Sequence, residues 1–260
     1  MVRPIEGKVV LITGASSGIG ALTAQRFAQQ GACVVATARS EDKLKVLAQQ
    51  LGDRSITLVL DVRDEVNVVE TMETTIQRYG RIDVLINNAG YGIFDYVDGM
   101  TLEQIEDMMN TNFMGVVRCA KAVLPYMKKA GKGHIINVAS IAGKIATAKS
   151  AVYTASKHAV YGFSHALRLE LKGSGIEVST VNPGPVDTSF FSIADPSGEY
   201  LNSVRVFTIS ADRVARAMIK LVEKPRMEVD IPWYLGAGVN LYRAFPRWLD
   251  GLVRRLTGRK

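Results

Sequence analysis

Cysteines are scarce in this sequence, and it has no long apolar run, no internal repeat and no low-complexity segment. Its two cysteines among 260 residues, Cys33 and Cys119, both stand among apolar neighbours. We therefore expect free, buried thiols in a cytoplasmic protein rather than the disulfide framework of a small secreted one. The apolar run VVLI at residues 9–12 is too short for a signal-peptide core or a spanning helix, so no targeting segment is predicted. Without a linker or a repeat to divide it, the chain is predicted to form one domain over residues 1–260.

The chain also lacks a basic stripe of the kind that follows a nucleic-acid backbone. Its net charge is +7, but residues 243–260 hold six basic residues and one acidic residue, so this stretch supplies five of the seven charges. The rest of the chain is nearly balanced. The charge pattern therefore predicts no nucleic-acid partner.

What the sequence does have is a series of short apolar runs that alternate with helical patterns. This alternation predicts an α/β fold with one doubly wound parallel sheet of about seven strands, right-handed crossovers and flanking helices. Open sheets of this kind bind ligands at the carboxyl ends of their strands. The predicted strands are Lys8–Thr13, Ala32–Thr37, Ile56–Leu60, Ile82–Ile86, His134–Val138, Ile176–Val181 and Met227–Ile231.

A glycine-rich turn, G-A-S-S-G-I-G, joins the first strand to the next helix. Glycines let the backbone approach an anion closely, and the unpaired N–H groups at a helix start carry positive potential. Strand, glycine turn and helix in this order favour a phosphate-binding loop, although a glycine turn without a ligand is the alternative. The residues of the loop that would bind are Gly14, Ser16, Ser17, Gly18, Ile19 and Gly20.

An arginine follows the second strand, where proteins that bind NAD usually carry an acidic residue. Ala38 stands at about that position, and Arg39 comes next. A carboxylate would repel the 2′-phosphate of NADP, whereas a guanidinium matches its charge and geometry. The sequence therefore predicts NADP(H) in preference to NAD(H). A solvated arginine at a strand end is the alternative.

Polar residues also follow the third and fourth strands. Asp61 and Val62 end the third strand, and the Asp61 carboxylate suits either an adenine amino group or the cap of the next helix, Asp64–Tyr79. The residues Asn88, Ala89 and Gly90 after the fourth strand suit a ligand crevice, and equally a simple turn.

A long helix is predicted over Thr101–Met127, with Thr101 as its N-cap. Asn112 falls in the middle of this helix, where asparagine is a poor helix former. It is therefore a candidate site residue, although an exposed surface asparagine is the common case. Pro125 is expected to kink or end the helix.

The main catalytic candidates are Ser140, Tyr153 and Lys157. Ser140 follows the fifth strand, and the other two lie one turn apart on a helix predicted over Ala151–Leu171. An ammonium beside a phenol favours the phenolate and would bring the pKa of the tyrosine closer to neutral. The same spacing also occurs where a tyrosine packs and a lysine reaches solvent, but the position beside the glycine turn favours catalysis. No metal site is predicted.

These residues resemble the short-chain dehydrogenase/reductase family over residues 8 to about 190. The resemblance implies a Rossmann-type fold, hydride transfer between a nicotinamide and a carbonyl or secondary alcohol, and a homodimer or homotetramer. The motifs occur in the family's order and spacing: Thr13-Gly14-x3-Gly18-x-Gly20, Asn87-Asn88-Ala89-Gly90, Asn112, Ser140, Tyr153-x3-Lys157 and Pro183-Gly184 with Thr188.

The resemblance also implies roles for individual residues. Tyr153 would exchange the proton with the substrate oxygen, and Ser140 would hold and polarise that oxygen. Lys157 would hold the nicotinamide ribose and lower the tyrosine pKa, and Asn112 would carry a proton relay from Lys157 through water. Ser17 departs from the pattern, because many NADP-using members carry a second basic residue there. The implied cofactor contacts are Gly14, Ser16, Ser17, Gly18, Ile19, Gly20, Arg39, Asp61, Val62, Asn88, Ala89, Gly90, Tyr153, Lys157, Pro183, Gly184, Val186 and Thr188.

The segment at residues 188–208 lies beyond the last motif and is predicted to be a substrate lid. Its aromatic residues suit a pocket for an apolar ketone, aldehyde or secondary alcohol of steroid, retinoid or lipid type; packing within the loop is the alternative. The candidate pocket residues are Phe190, Phe191, Ile193 and Tyr200 with Tyr91, Ile93 and Phe94.

The stretch at residues 232–260 combines aromatic with basic residues. This composition suits peripheral contact with a membrane surface, and it equally suits a partner subunit. Two other functions stay open besides an oxidoreductase: an epimerase or lyase on the same scaffold, and a non-catalytic nucleotide-binding protein. A non-catalytic protein would be expected to lose Ser140, Tyr153 or Lys157, and all three are present.

Overall fold

The computed structural model describes residues 4–195 and 198–245, apart from the side chains of residues 203 and 243. Strands and helices alternate along most of this length. The strands are β1 Val9–Thr13, β2 Cys33–Ala38, β3 Ile56–Val59, β4 Val84–Asn87, β5 Gly133–Val138, β6 Ile176–Pro183, β7 Val186–Asp187, β8 Ile209–Ser210 and β9 Glu228–Ile231. The helices are α1 Gly18–Gln29, α2 Glu41–Leu51, α3 Glu65–Tyr79, α4 Leu102–Met109, α5 Gly115–Ala130, α6 Ala151–Glu170, α7 Phe190–Ala194, α8 Glu199–Val204, α9 Ala211–Glu223 and α10 Trp233–Ala244.

Seven of the strands form one parallel sheet in the order β3-β2-β1-β4-β5-β6-β9. The chain builds outward from β1 to β3, then crosses back to β4 beside β1 and builds in the other direction. The strand order therefore reverses between β1 and β4, and such a switch point opens a crevice at the carboxyl ends of the strands. The predicted doubly wound α/β sheet of the Rossmann type is confirmed.

Each face of the sheet is covered by a separate apolar cluster. Val10 and Ile12 of β1 pack into the cluster that contains Phe27 of α1. Val9 and Leu11 point the other way, into the cluster that contains Met72 of α3. This burial on both faces explains why the strand sequences are continuous apolar runs rather than alternating ones.

The predicted long helix over residues 101–127 is interrupted in the structure. Thr101 caps α4 as predicted, in a reciprocal capping box with Gln104. A single π-helical stretch at Asn110–Met114 then separates α4 from α5. Of the two outcomes predicted for Pro125, a kink or the end of the helix, the second is wrong, because α5 continues past Pro125 to Ala130.

Two other boundaries differ from the sequence-based predictions. The strand predicted over Ile176–Val181 ends later, because β6 pairs with β9 as far as Pro183. The cap of α3 is Asp64, which accepts hydrogen bonds from the backbone of Val66 and Asn67, so the alternative that Asp61 caps this helix is wrong.

The segment at residues 188–208 folds largely into α7 and α8, flanked by the two-stranded β7-β8 pair that sequence patterns missed. The Phe94 N–H donates to the carbonyl of Ala194 at the end of α7 (2.8 Å). Asp195 accepts from the N–H of Leu201 in α8 (2.8 Å). These bonds seat the segment over the carboxyl edge of the sheet.

The described part of the aromatic and basic stretch is α10 with Phe245. Residues 246–260, which hold most of the predicted basic tail, lie outside the described residues. None of the described helices is both long enough and apolar enough to cross a membrane.

Candidate active site

A cavity of about 1020 Å³ opens at the carboxyl edge of the sheet. It brings together residues from β1, β4, β5 and β6, the helices that follow them, and the segment at residues 188–208. The cofactor residues named from sequence all line it, as do Ser140, Tyr153 and Lys157. Two sequence-predicted site residues do not line it, namely Ile93 and Asn112, and Asn112 lies fully buried behind the wall.

The glycine turn after β1 is held by close backbone contacts. A Cβ added to Gly20 would lie 2.3 Å from the carbonyl oxygen of Gly14, and Gly14 itself has a φ of +67°. Asn88 braces the same turn, because its amide donates to the carbonyls of Thr13 and Gly14 (both 3.0 Å). The Asn88 side chain therefore shapes the loop, which sequence reasoning had not predicted.

The start of α1 has the features of an anion site. No side chain caps it through Ser17, and its first turn holds no acidic residue. By contrast, the helices α3 and α4 are capped by their own side chains. Uncapped N–H groups at a helix start, facing a cavity without a carboxylate, suit a phosphate.

A second basic residue joins Arg39 at the same end of the cavity. Arg39, Ser40 and Lys43 all line it. Lys43 lies in the first turn of α2, four residues after Arg39. The sequence-based prediction used only the residues at the end of the strand and so did not include it. Two cations and a hydroxyl form a stronger anion site than a single surface arginine.

Asp61 is engaged by a neighbouring arginine. Its carboxylate accepts from the Arg63 guanidinium at 2.6–3.0 Å, and Arg63 also donates to Asp107 (2.6 Å). The Tyr91 hydroxyl donates to Asp107 (2.7 Å). The bonds from Arg63 hold the pKa values of both carboxyls below their usual range. This ion-pair network fixes the wall between β3 and the π-helical stretch.

Asn112 is positioned by that π-helical stretch. Its carboxamide accepts from the Tyr91 N–H (2.9 Å) and donates to the Tyr91 carbonyl (2.8 Å) and the Ser156 hydroxyl (3.0 Å). A Cβ on Gly90 would lie 2.9 Å from the Asn112 oxygen and 3.4 Å from Lys157 Nζ. Asn112 thus ties the loop after β4 to α6, close to Lys157.

The three remaining catalytic candidates converge where β5 and β6 end. The Ser140 hydroxyl donates to the Pro183 carbonyl (3.3 Å) and accepts from the Ala142 N–H (3.0 Å). Lys157 Nζ donates to the Val138 carbonyl (2.9 Å) and lies 5.8 Å from the centre of the Tyr153 ring. All three side chains face the same cavity.

Burial controls the titration of this group. Dense surroundings raise the pKa of the Tyr153 phenol, and the interaction with Ser140, which lowers it, is weaker. Burial also lowers the pKa of Lys157 to about 8. Burial is thus the largest influence on Tyr153 in the chain without cofactor, and the expected lowering of its pKa by Lys157 stays a prediction. Tyr153 keeps its proton at neutral pH.

An aromatic cluster forms the wall beside Tyr153. Phe94 stacks on Tyr200 with ring centres 4.0 Å apart and meets Tyr153 edge-to-face at 5.3 Å. Phe190 and Phe191 from α7 complete the cluster. The rings pack against one another and also line the cavity, so both alternatives weighed for these aromatic residues hold at once.

A buried ion pair anchors the loop that carries Ser140. The Lys144 side chain is 1% exposed and bonds Asp230 (2.6 Å) and Glu228 (3.1 Å) on β9. Asp230 also accepts from the Asn182 amide (2.8 Å). The loop after β5 is thereby tied to β6 and β9, directly below the site. The chain distance of 86 residues between Lys144 and Asp230 hid this contact from sequence reasoning.

A switch-point cavity with an uncapped helix start and a phosphate-sized glycine turn defines a dinucleotide-binding α/β protein. The model of the short chain dehydrogenase family matches residues 8–196. The chain belongs to this family of oxidoreductases.

Known proteins of the family are similar over most of the chain. A 3-ketodihydrosphingosine reductase of Bacteroides thetaiotaomicron is 40% identical over 238 residues, which cover 90% of this chain and 83% of that protein. The closed form of a serine dehydrogenase in complex with NADP⁺ superposes with a TM-score of 0.80 at 32% identity, covering 85% of this chain and 93% of the other. A 3-ketoacyl-(acyl-carrier-protein) reductase of Brucella melitensis in complex with NADH gives 0.78 at 29% identity, covering 87% and 98%.

Proposed function

We propose that the protein is an NADP(H)-dependent oxidoreductase that interconverts an apolar ketone or aldehyde and its alcohol. The observation that carries the proposal is the convergence of Tyr153, Ser140 and Lys157 on one cavity whose wall beside Tyr153 is aromatic. A buried proton donor against an apolar wall suits the reduction of a carbonyl on a hydrophobic substrate.

The residues present fit a nicotinamide dinucleotide. The uncapped start of α1 and the glycine turn would receive its pyrophosphate, and Lys157 would receive the nicotinamide ribose. When bound, this cofactor supplies the donor and acceptor of hydride. The side chains of this protein would bind the substrate oxygen and transfer the proton.

Ser140 and Tyr153 would act on the substrate oxygen. The Ser140 hydroxyl is held by the Ala142 N–H and the Pro183 carbonyl, so its position is fixed before substrate binds. Tyr153 would donate its proton to that oxygen in reduction and take it back in oxidation. Asn112, tied to Tyr91 and Ser156, would position the water that returns a proton towards Lys157.

A preference for NADP(H) rests on the cations at the end of β2. Arg39 and Lys43 line the cavity together with the hydroxyl of Ser40. No acidic residue occupies the position of Ala38, where a carboxylate would repel a 2′-phosphate. The serine dehydrogenase relative was solved with NADP⁺, which agrees with the proposal, whereas the ketoacyl reductase relative holds NADH.

The substrate is proposed to be a long-chain or otherwise bulky apolar carbonyl compound. The arm of the cavity beside Tyr153 is lined by Phe94, Phe190 and Phe191, and its outer part by Leu235 and Val239 of α10. A 40% identical relative is named for a ketone of a lipid, 3-ketodihydrosphingosine. We further propose a homodimer or homotetramer, as the family resemblance implies.

The test is turnover of a panel of ketones, aldehydes and secondary alcohols with NADPH, NADP⁺, NADH and NAD⁺, followed by absorbance at 340 nm. Tyr153→Phe keeps the ring and removes the proton donor, so kcat is expected to fall by roughly 10²–10⁴ while NADPH still binds. Appreciable activity in this variant would contradict the assignment. Bound cofactor without net consumption across the whole panel would favour an epimerase or lyase instead.

A further inference from the structure

The helix α10 is rich in apolar residues but is covered along only one narrow face. Its sequence, WYLGAGVNLYRA, has Arg243 as the one charged residue. Gly236 and Val239 are buried, whereas Trp233 is 73% exposed and Leu241 is 55% exposed. Large exposed apolar side chains that lie close together mark an interaction surface. We therefore expect the uncovered side of α10 to contact another molecule.

The exposed apolar surface continues into the cavity. Tyr234 and Leu241 both line the cavity and are exposed. Ile193 of α7 also lines it and is 73% exposed, and Val206, next to the lining residue Phe207, is 90% exposed. The mouth of the cavity is therefore bordered by apolar side chains from two separate segments, and an occupant of this surface would meet the substrate entrance.

The size and chemistry of α10 point to a lipid surface. Twelve residues span about 18 Å, less than the roughly 30 Å of a bilayer core, so the helix fits in the plane of an interface and cannot cross it. Tryptophan and tyrosine favour the headgroup level. The stretch at residues 243–260 adds six basic residues and one acidic residue, which complements anionic headgroups.

We propose that α10, together with the exposed Ile193 and Val206, forms a docking surface for an anionic lipid bilayer. Trp233, Tyr234, Leu241 and Phe245 enter the interface, and the positive charge of the sequence favours anionic headgroups. The cavity mouth then faces the acyl region, and a chain-bearing ketone passes from the bilayer to Tyr153 without crossing water. The delivery step rests on the proposed function; the docking step does not.

The experiment compares flotation of the full chain with vesicles of phosphatidylcholine alone and with vesicles that contain phosphatidylserine. Binding to the anionic vesicles, weakened by high salt, is expected. The double variant Trp233→Ser/Phe245→Ser removes two exposed side chains that do not line the cavity, and should lower the bound fraction roughly tenfold or more. Val66→Ser, which removes an exposed apolar side chain from α3 instead, should leave binding unchanged.

Two further measurements separate the alternatives. The double variant should turn over a short, water-soluble ketone as the natural chain does, and should lose turnover of a long-chain ketone embedded in vesicles. Failure of the natural chain to bind anionic vesicles, or equal binding by the double variant, overturns the docking surface. If the double variant instead changes a dimer into a monomer in solution, α10 is an interface between copies and the proposal is wrong. Vesicle binding without turnover of any ketone supports docking and contradicts the proposed function alone.

Discussion

The substitution Lys157→Met is expected to make the cofactor-free protein more stable while it abolishes turnover. The Lys157 ammonium is 5% exposed, and burial alone lowers its pKa from 10.5 to about 8. The ammonium donates a hydrogen bond to the Val138 carbonyl (2.9 Å). Burial of this charge lowers the free energy of unfolding of the chain without cofactor. Such unfavourable burial is typical of groups that act in a binding or catalytic site.

The size of the effect follows from the pKa shift. A depression of this size corresponds to about 3 kcal/mol against folding at pH 7, where both the folded and the unfolded chain carry the proton. Methionine removes this cost and retains most of the apolar stem. It also leaves the Val138 carbonyl without its donor, which costs about 1 kcal/mol. The net gain of about 2 kcal/mol should raise Tm by roughly 4–8 °C.

The pH dependence gives the sharper measurement. Between about pH 8 and 10.5 the unfolded chain still holds the Lys157 proton and the folded chain has released it, so the natural protein gains stability as pH rises through this window. The advantage of Lys157→Met should therefore be full below pH 8 and should close towards pH 10.5. Thermal unfolding followed by circular dichroism at pH 7, 9 and 10 measures it, with the exposed Lys172→Met as the control. A Tm at pH 7 that is unchanged or lower, or a difference that does not vary with pH, would refute the reasoning.

Other substitutions test the remaining parts of the site. Arg39→Ala with Lys43→Ala should weaken NADPH binding by roughly tenfold or more and leave NADH binding unchanged, as measured by fluorescence titration, because two charge-assisted contacts to the 2′-phosphate are lost; equal loss for both cofactors would contradict the assignment. Gly20→Ala places a Cβ 2.3 Å from a backbone carbonyl and should abolish cofactor binding, whereas Gly238→Ala, which meets nothing within 4 Å, should not. Lys144→Met leaves two carboxylates without their buried partner and should lower stability by about 3–5 kcal/mol in thermal unfolding; a stability equal to that of the natural chain would show that the ion pair contributes nothing.

The sheet could be predicted because its signals are local. Each strand is a short apolar run bounded by turn residues, and all seven strands of the main sheet were found within a few residues of their ends. The strand order β3-β2-β1-β4-β5-β6-β9 adds long-range information, but the right-handed crossover rule leaves few alternatives. The glycine turn and the Tyr153 motif were likewise found because each lies within one short stretch of sequence.

The features of the site that sequence patterns did not predict depend on contacts between residues far apart in the chain. The Lys144 ion pair joins residues 86 positions apart, and the Asn88 brace joins β4 to the turn after β1. The π-helical stretch around Asn112 also has no local signature, since the surrounding residues follow an ordinary helical pattern. Lys43 is different: its spacing of four residues from Arg39, at a helix start, was visible in the sequence.

The titration of Tyr153 and Lys157 shows why a motif alone does not fix a mechanism. From their spacing, the lysine charge was expected to draw the tyrosine towards the phenolate. In the folded chain both groups are buried, so the charged form of each is disfavoured: the phenol holds its proton and the ammonium is less stable than in water. The site is thus prepared as a proton donor, which matches the demand of carbonyl reduction at neutral pH. Further acceptors around Lys157 would stabilise its charge, and only then would its effect on Tyr153 grow. The protonation of the two groups in the chain without cofactor therefore follows from the dielectric environment that the apolar walls create, and not from the pair of residues by itself.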